Sequence, residues 1–298
     1  MRRNVTKTGA RRARDGRFFA LADQMGVAER MIELVDVRLD HPRGGEPLVS
    51  DANLKVTRGG VVLIVGAAGV GTSRLVAAVL GEVPASAGRI EVMGRDLTRL
   101  RRSSLRLMRR RVGVVPQDLC LLDDRSVQLN VALPLEIDGL PRSMTIVRAN
   151  EVLEQLGLAN TSMVPVEFLS GAERQRVAVA RALVRTPEMV IADHPTSQQD
   201  ADGAELVGAA LAEASERGAA VIVFGREPTL RSIAERHQWR QLALANGKLC
   251  ALAELNLAGA ALDEVLVDMD SAPTPLHPDE DIPNIVPFPL SARTAGVA

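Results

Sequence analysis

The segment Gly66, Ala67, Ala68, Gly69, Val70, Gly71, Thr72 and Ser73 sets spaced glycines ahead of two hydroxyl residues. It lies between an apolar run, Val61–Val65, and a helical pattern, Ser73–Leu80. Glycines let a backbone turn successive N–H groups inward, which makes a nest for an anion. The helix start behind the loop adds the positive end of its dipole. A strand, such a loop and a helix form the setting of a phosphate-binding loop, with Ser73 placed as a magnesium-ligating hydroxyl. The working pattern has lysine before that hydroxyl, and here the residue is Thr72. The charge-assisted hydrogen bond so lost is worth roughly 1.5–3 kcal/mol, or about one to two orders of magnitude in affinity. Arg74 lies two residues on and, at about 100° per residue of helix, points away from the loop. Taken alone, the segment equally suits a tight strand-to-helix turn that binds nothing.

The rest of the chain must position this loop. Its 298 residues, 46% of them hydrophobic, suffice for one sizeable core with a lobe attached. The formal net charge of −1 hides a basic N-terminal stretch (Arg2, Arg3, Lys7, Arg11, Arg12, Arg14, Arg17) and an acidic stretch from Asp263 to Asp281. Blocks of this kind read as solvated tails. Cys120 and Cys250 do not make a disulfide framework, and a reducing compartment suits them. No run of apolar residues is long enough to span a membrane, and no apolar stretch follows the N-terminal arginines as in a secretory signal.

Met31–Val37 alternates as a half-buried strand, and Val61–Val65 suits a strand buried on both faces of a mainly parallel sheet. Ile90–Met93, Val112–Val115, Met189–Ala192 and Ala220–Phe224 are further strand candidates. Helical periodicity is best at Met144–Leu156, Ala172–Val184, Ala201–Arg217 and Thr229–Arg236. Strands alternating with helices predict an α/β fold. Residues 119–165 lack a strong strand and read as a helical lobe inserted into that core. The prolines after residue 270 mark a disordered tail.

Leu169-Ser170-Gly171-Ala172-Glu173-Arg174-Gln175-Arg176 closely resembles the signature of the ABC (ATP-binding cassette) family, usually written LSGGE-QxR. Met189–Asp193, an apolar strand ending in aspartate, resembles the family's Walker B segment. Asp200 falls at its D-loop aspartate and Gln117 at its Q-loop. The resemblance covers residues 31–250. It implies a P-loop NTPase (RecA-like) core with a mainly parallel sheet, an antiparallel β subdomain and an inserted helical subdomain at about 119–180. Residues 1–30 are then an added basic extension and 251–298 a tail. The implied cofactors are ATP and Mg2+. Base and phosphates would be met by His41, the loop 66–73, Gln117, Ser170, Gly171, Ala172, Glu173 and Asp200, and the metal by Ser73, Gln117 and Asp193. Two such subunits would face head to tail, as a homodimer or as a heterodimer with an intact ATP-binding subunit. A membrane permease-like partner would hold them at the inner face of the cell membrane. Leu121–Val127 and Asn130–Leu135 look most like the cell-division group FtsE, with the LolD and MacB groups as neighbours. That likeness implies an FtsX-like or LolC/MacB-like partner and a start near Met31.

The chain departs from the family at the chemistry. His194 stands where a glutamate positions or deprotonates the attacking water, and loss of a general base costs roughly 10²- to 10⁴-fold in rate. Arg226 aligns with the switch histidine; a guanidinium can bind a γ-phosphate but shuttles no proton at neutral pH. Ala172 replaces a glycine of the signature. Lysine, glutamate and histidine act at one γ-phosphate, and all three are changed. The pattern predicts a nucleotide-binding subunit with weak or absent hydrolysis. A scaffold that no longer needs nucleotide and an ATPase with rearranged groups are the alternatives. The arginine run Arg101, Arg102, Arg106, Arg109, Arg110 and Arg111 reads as a solvated face. Aromatics at 2% of the chain lack the stacking platforms of a single-strand binder, and no nucleic acid is expected.

Overall fold

The computed structural model describes residues 29–67 and 69–252. Both expected tails lie outside the described residues, apart from 29–30 and 251–252, and so does Ala68.

Two sheets organise these residues. The larger has the order β10-β9-β3-β8-β7-β6, with β3 (Val61–Gly66), β6 (Val112–Val115), β7 (Met189–Asp193), β8 (Ala220–Phe224), β9 (Arg240–Ala245) and β10 (Lys248–Ala251). All its pairings are parallel except that of β9 with β10. The smaller sheet is antiparallel, in the order β2-β1-β4-β5, from β1 (Arg30–Leu39), β2 (Val49–Thr57), β4 (Ala87–Val92) and β5 (Arg95–Asp96). The fold is thus a RecA-like P-loop NTPase core with an antiparallel subdomain, as the resemblance implied.

Strand alternation divides the interior into two cores. Side chains on a strand point alternately to opposite faces. In β3, Leu63 and Val65 go to one core and Val62 and Ile64 to the other. In β7, Val190 and Ala192 oppose Met189 and Ile191; in β8, Val221 and Val223 oppose Ala220, Ile222 and Phe224. A strand buried on both faces must be apolar throughout, which is why these runs stand out in the sequence.

One core contains the helical lobe. Helix α3 (Val127–Ile137) begins at Ser126, whose hydroxyl accepts from Leu129 N at 3.3 Å. Helix α4 (Arg142–Gln155) and helix α5 (Gly171–Leu183) pack against it. Val131, Leu153, Leu158 and Val177 are fully buried or nearly so, and they share a single cluster with Val190 and Val221 of the sheet. The lobe is therefore seated on the sheet, with α5 between them, and has no separate core.

Helix α1 (Thr72–Val79) follows the phosphate loop, and helix α2 (Arg102–Arg109) carries Arg102, Arg106 and Arg109 of the arginine run. Three arginines of that run tie the fold together. Arg109 donates to the carbonyls of Leu80 and Gly81 at 2.9 and 3.0 Å. Arg111 forms a two-pronged pair with Glu188, and Arg110 faces Asp138 at 3.9 Å. Helices α6 (Ala201–Glu216) and α7 (Pro228–Arg236) complete the α-helices among the described residues. No helix among the described residues is long and apolar enough to cross a membrane.

Candidate functional site

Register brings three chain segments to one edge of the larger sheet. Ile64 of β3 pairs with Phe224 of β8, and Phe224 pairs with Asp193 of β7. The phosphate loop, Gly225–Arg226 and Asp193–His194 therefore leave the sheet side by side. Adjacent strands lie ~4.8 Å apart, so the ends of β3 and β7 stand roughly 10 Å apart. Gly225 N donates to Ile64 O at 3.3 Å and His194 N to Phe224 O at 2.7 Å, which carries the ladder one step past the strands.

The loop has the backbone an anion needs. Gly71 is the N-cap of α1 at φ +105°, a left-handed conformation that suits glycine. A Cβ there would lie 2.9 Å from Leu48 Cβ, so the β1–β2 connection presses directly on the loop. No side chain caps the start of α1, and its first turn holds no acidic residue. The first-turn amides are thus left for a ligand, and their dipole favours a negative one. This half of the site fits a phosphate.

Three further side chains bear on the charge of this site. Thr72 is half-buried, and its Cγ2 lies 3.0 Å from where a Cβ on Gly66 would stand. Arg74 is half-buried, and its Nε is out of water without a hydrogen-bond partner. Arg226 is exposed, and its backbone N–H donates to Glu227 Oε2 at 3.0 Å.

Asp193 ends β7 at 7% exposure. His194 sits at φ +50°, with Nδ1 2.9 Å from Asp193 Oδ1. The hydrogen bond to Asp193 raises the imidazole pKa above its ordinary 6.5; burial opposes this, and the negative charges of Glu227 and Asp193 add to it. Among the described residues no three or more His, Cys, Asp or Glu gather as a metal cluster. Asp193 with the Ser73 hydroxyl still suits Mg2+, which takes one or two carboxylates and completes its shell with water and phosphate.

The remaining candidates lie on other segments of the chain. Gln117 is exposed just past β6, beside β7. His41 lies in the β1–β2 connection, where its Nδ1 accepts from Arg43 N at 3.1 Å and its carbonyl from Gly44 N at 3.0 Å. Ser170 caps α5 in a reciprocal box. Its hydroxyl accepts from Glu173 N at 3.3 Å, while Glu173 Oε2 accepts from Ser170 N at 2.9 Å and Ser170 Oγ at 2.7 Å. The Ser170 hydroxyl, aided by its backbone N–H, holds the Glu173 carboxyl below its usual range. Asp200 caps α6, accepting from Gly203 N at 2.8 Å.

Sequence reasoning missed the glutamines that join the signature helix to the loop after Asp193. Gln175, 2% exposed, donates to His194 O at 2.8 Å and Ser197 Oγ at 3.0 Å. Gln199 donates to Ala172 O at 2.8 Å. Gln175 belongs to the quoted signature, so its place in that motif was the available signal; Gln199 had none.

A phosphate loop after a central parallel strand, a buried aspartate two strands away and an antiparallel subdomain define a P-loop nucleotide-binding domain. The family model described as ABC transporter matches residues 49–197, and the chain belongs to that family. A methionine import ATP-binding protein, MetN, of Rhizobium etli is 35% identical over 212 residues, 70% of this chain and 58% of the relative. A MetN of Symbiobacterium thermophilum is 40% identical over 190 residues, 63% of this chain and 57% of the relative. The chain thus spans somewhat over half the length of these relatives. Among solved structures, a dimeric ATP-binding cassette in a post-hydrolysis state, bound to ADP and phosphate, superposes with a TM-score of 0.67 at 26% identity. The match covers 74% of this chain and 96% of that one.

These relatives overturn the expected likeness to the FtsE, LolD and MacB groups. The residues behind that expectation are occupied in folding the lobe. Asn130 is fully buried, and its carboxamide bonds Leu122 N at 2.8 Å and Leu122 O at 2.9 Å. These bonds shape the lobe of this chain and do not themselves mark a subgroup.

Proposed function

We propose that the chain is the ATP-binding subunit of an ABC transporter complex of the methionine-importer type, and that it binds nucleotide but hydrolyses it poorly. The observation that carries this reading is the contrast at one sheet edge. The uncapped start of α1 and the glycine loop suit phosphate, while Thr72, His194 and Arg226 stand where the reactive lysine, glutamate and histidine belong.

In this reading the amides of residues 69–73 cradle the phosphates, with Ser73, Asp193 and Gln117 on the metal side. His41 lies under the base, and Asp200 keeps the loop beside Gln199 in place as the cap of α6. Ser170 and Gly171, followed by Ala172 and Glu173, face the nucleotide of a second subunit. Bound Mg-ATP supplies the charged phosphates that bridge the two subunits. The second subunit is a copy of this chain or an intact ATP-binding subunit, and a membrane permease couples the pair to transport. The relatives' names make methionine the first cargo to test.

Calorimetric titration of Mg-ATP into the purified chain, with Thr72→Lys alongside, tests the reading. The native chain should bind in the micromolar to low-millimolar range, and Thr72→Lys should bind about 10- to 100-fold tighter, the value of one charge-assisted hydrogen bond. Binding only after Thr72→Lys would replace this reading with that of a nucleotide-free scaffold. Heat from neither protein would overturn it.

A further inference from the structure

Gln198 stands over the start of the signature helix. A Cβ on Gly171 would lie 2.3 Å from Gln198 Oε1 and 3.3 Å from its Cδ, so the carboxamide rests on the face of Gly171. Both residues are otherwise exposed.

The backbone on either side of Gln198 is pinned to that helix. Gln198 N donates to Gln175 Oε1 at 3.1 Å, and Gln199 Nε2 donates to the same oxygen at 3.0 Å. The two Nε2 hydrogens of Gln175 go to His194 O and Ser197 Oγ. The Gln175 carboxamide thus makes every hydrogen bond it can. Gln199 also holds Ala172 O at 2.8 Å. Beside Gly171, the Ser170 hydroxyl donates to Glu173 Oε2 at 2.7 Å. Both groups on this face are therefore engaged within the chain.

We propose that Gln198 governs access to the signature: its carboxamide must leave Gly171 before the phosphate of a second subunit's nucleotide can dock there. The inference rests on the reading above, in which Ser170 and Gly171 receive a partner's nucleotide. A carboxamide oxygen and a phosphate oxygen are both acceptors drawn to the positive end of α5, so they compete for one place. The Gln198 side chain can move without its backbone, because Gln175 and Gln199 hold the backbone around it. Gln198 therefore selects for partners whose nucleotide contacts repay that displacement.

Two measurements test this. The first needs no nucleotide. Gly171→Ala is made in the native chain and in Gln198→Ala, and urea midpoints are compared. The midpoint change caused by the new methyl should be more favourable in Gln198→Ala than in the native background. An equal shift in both backgrounds overturns the proposal, because Gln198 then holds no fixed place over Gly171. The second uses Thr72→Lys with saturating Mg-ATP, its binding checked by calorimetry. Adding Gln198→Ala should tighten self-association at least tenfold in sedimentation equilibrium, and an unchanged or weaker dimer overturns the proposal. Absence of Mg-ATP binding by Thr72→Lys would count against the nucleotide reading alone, and the urea comparison would still decide the placement of Gln198.

Discussion

The carboxamide of Asn130 brackets Leu122: Oδ1 accepts from Leu122 N at 2.8 Å, and Nδ2 donates to Leu122 O at 2.9 Å. Nδ2 also reaches the carbonyls of Arg125 and Ser126. One fully buried side chain thus shapes the turn that leads from the sheet into the lobe. Asn130→Ala should cost about 1–3 kcal/mol, the penalty of leaving buried backbone groups unpaired. Chemical denaturation checks it, and Asn130→Asp should fall short of full rescue because it keeps the acceptor and loses the donor.

Arg226 is exposed one residue beyond Gly225, next to the end of β3. If its guanidinium partly replaces the missing lysine charge, Arg226→Ala should weaken Mg-ATP binding by roughly tenfold or more, the worth of one charge-assisted bond. Unchanged affinity by calorimetry would remove Arg226 from the site.

Catalytic recovery should be strongly non-additive. Groups that act as a unit at one phosphate give little when restored singly. His194→Glu alone should leave turnover near background. Thr72→Lys, His194→Glu and Arg226→His together should raise it by about 10²-fold or more, the range of a regained general base. Phosphate release, measured after contaminating ATPases are excluded, tests this.

Glu173 gives a pH signature. Its folded-state pKa lies below the ordinary 4.5, chiefly through the Ser170 hydroxyl. A depressed carboxylate adds stability above the unfolded pKa and loses it as pH falls through the folded value. The native chain should therefore exceed Glu173→Gln in urea midpoint at neutral pH, and the gap should close below about pH 4.5. A gap independent of pH would show that the capping box gains nothing from the carboxylate charge.

The sequence was most legible where burial is two-sided. Val61–Val65 and Ala220–Phe224 are apolar throughout because both their faces are covered, and periodicity finds such runs readily. Strand β2 is not read from the sequence: Val49, Ala52, Leu54 and Val56 are buried, but Ser50, Asp51, Asn53 and Lys55 between them dilute the signal. Strands β9 and β10 and helix α2 were also unread, the last because arginines mask the buried Met108. At the site, the phosphate loop, Asp193 and the signature were legible as motifs. The carboxamides of Gln198 and Gln199 were not, since an isolated glutamine carries no period and its partners lie on another element. The subgroup is not legible in Leu121–Val127 and Asn130–Leu135, because these residues build the lobe.

The alignment of Ile64, Phe224 and Asp193 separates two kinds of genetic change. Replacing Thr72, His194 or Arg226 swaps a side chain beyond the strand ends and leaves the strands untouched. Inserting or deleting one residue within β8 would turn its side chains to the opposite faces and pull its loop out of line with both neighbours. Point changes can therefore erase and rewrite the chemistry of this edge many times over, whereas a single indel in the middle strand would end the fold that makes it rewritable.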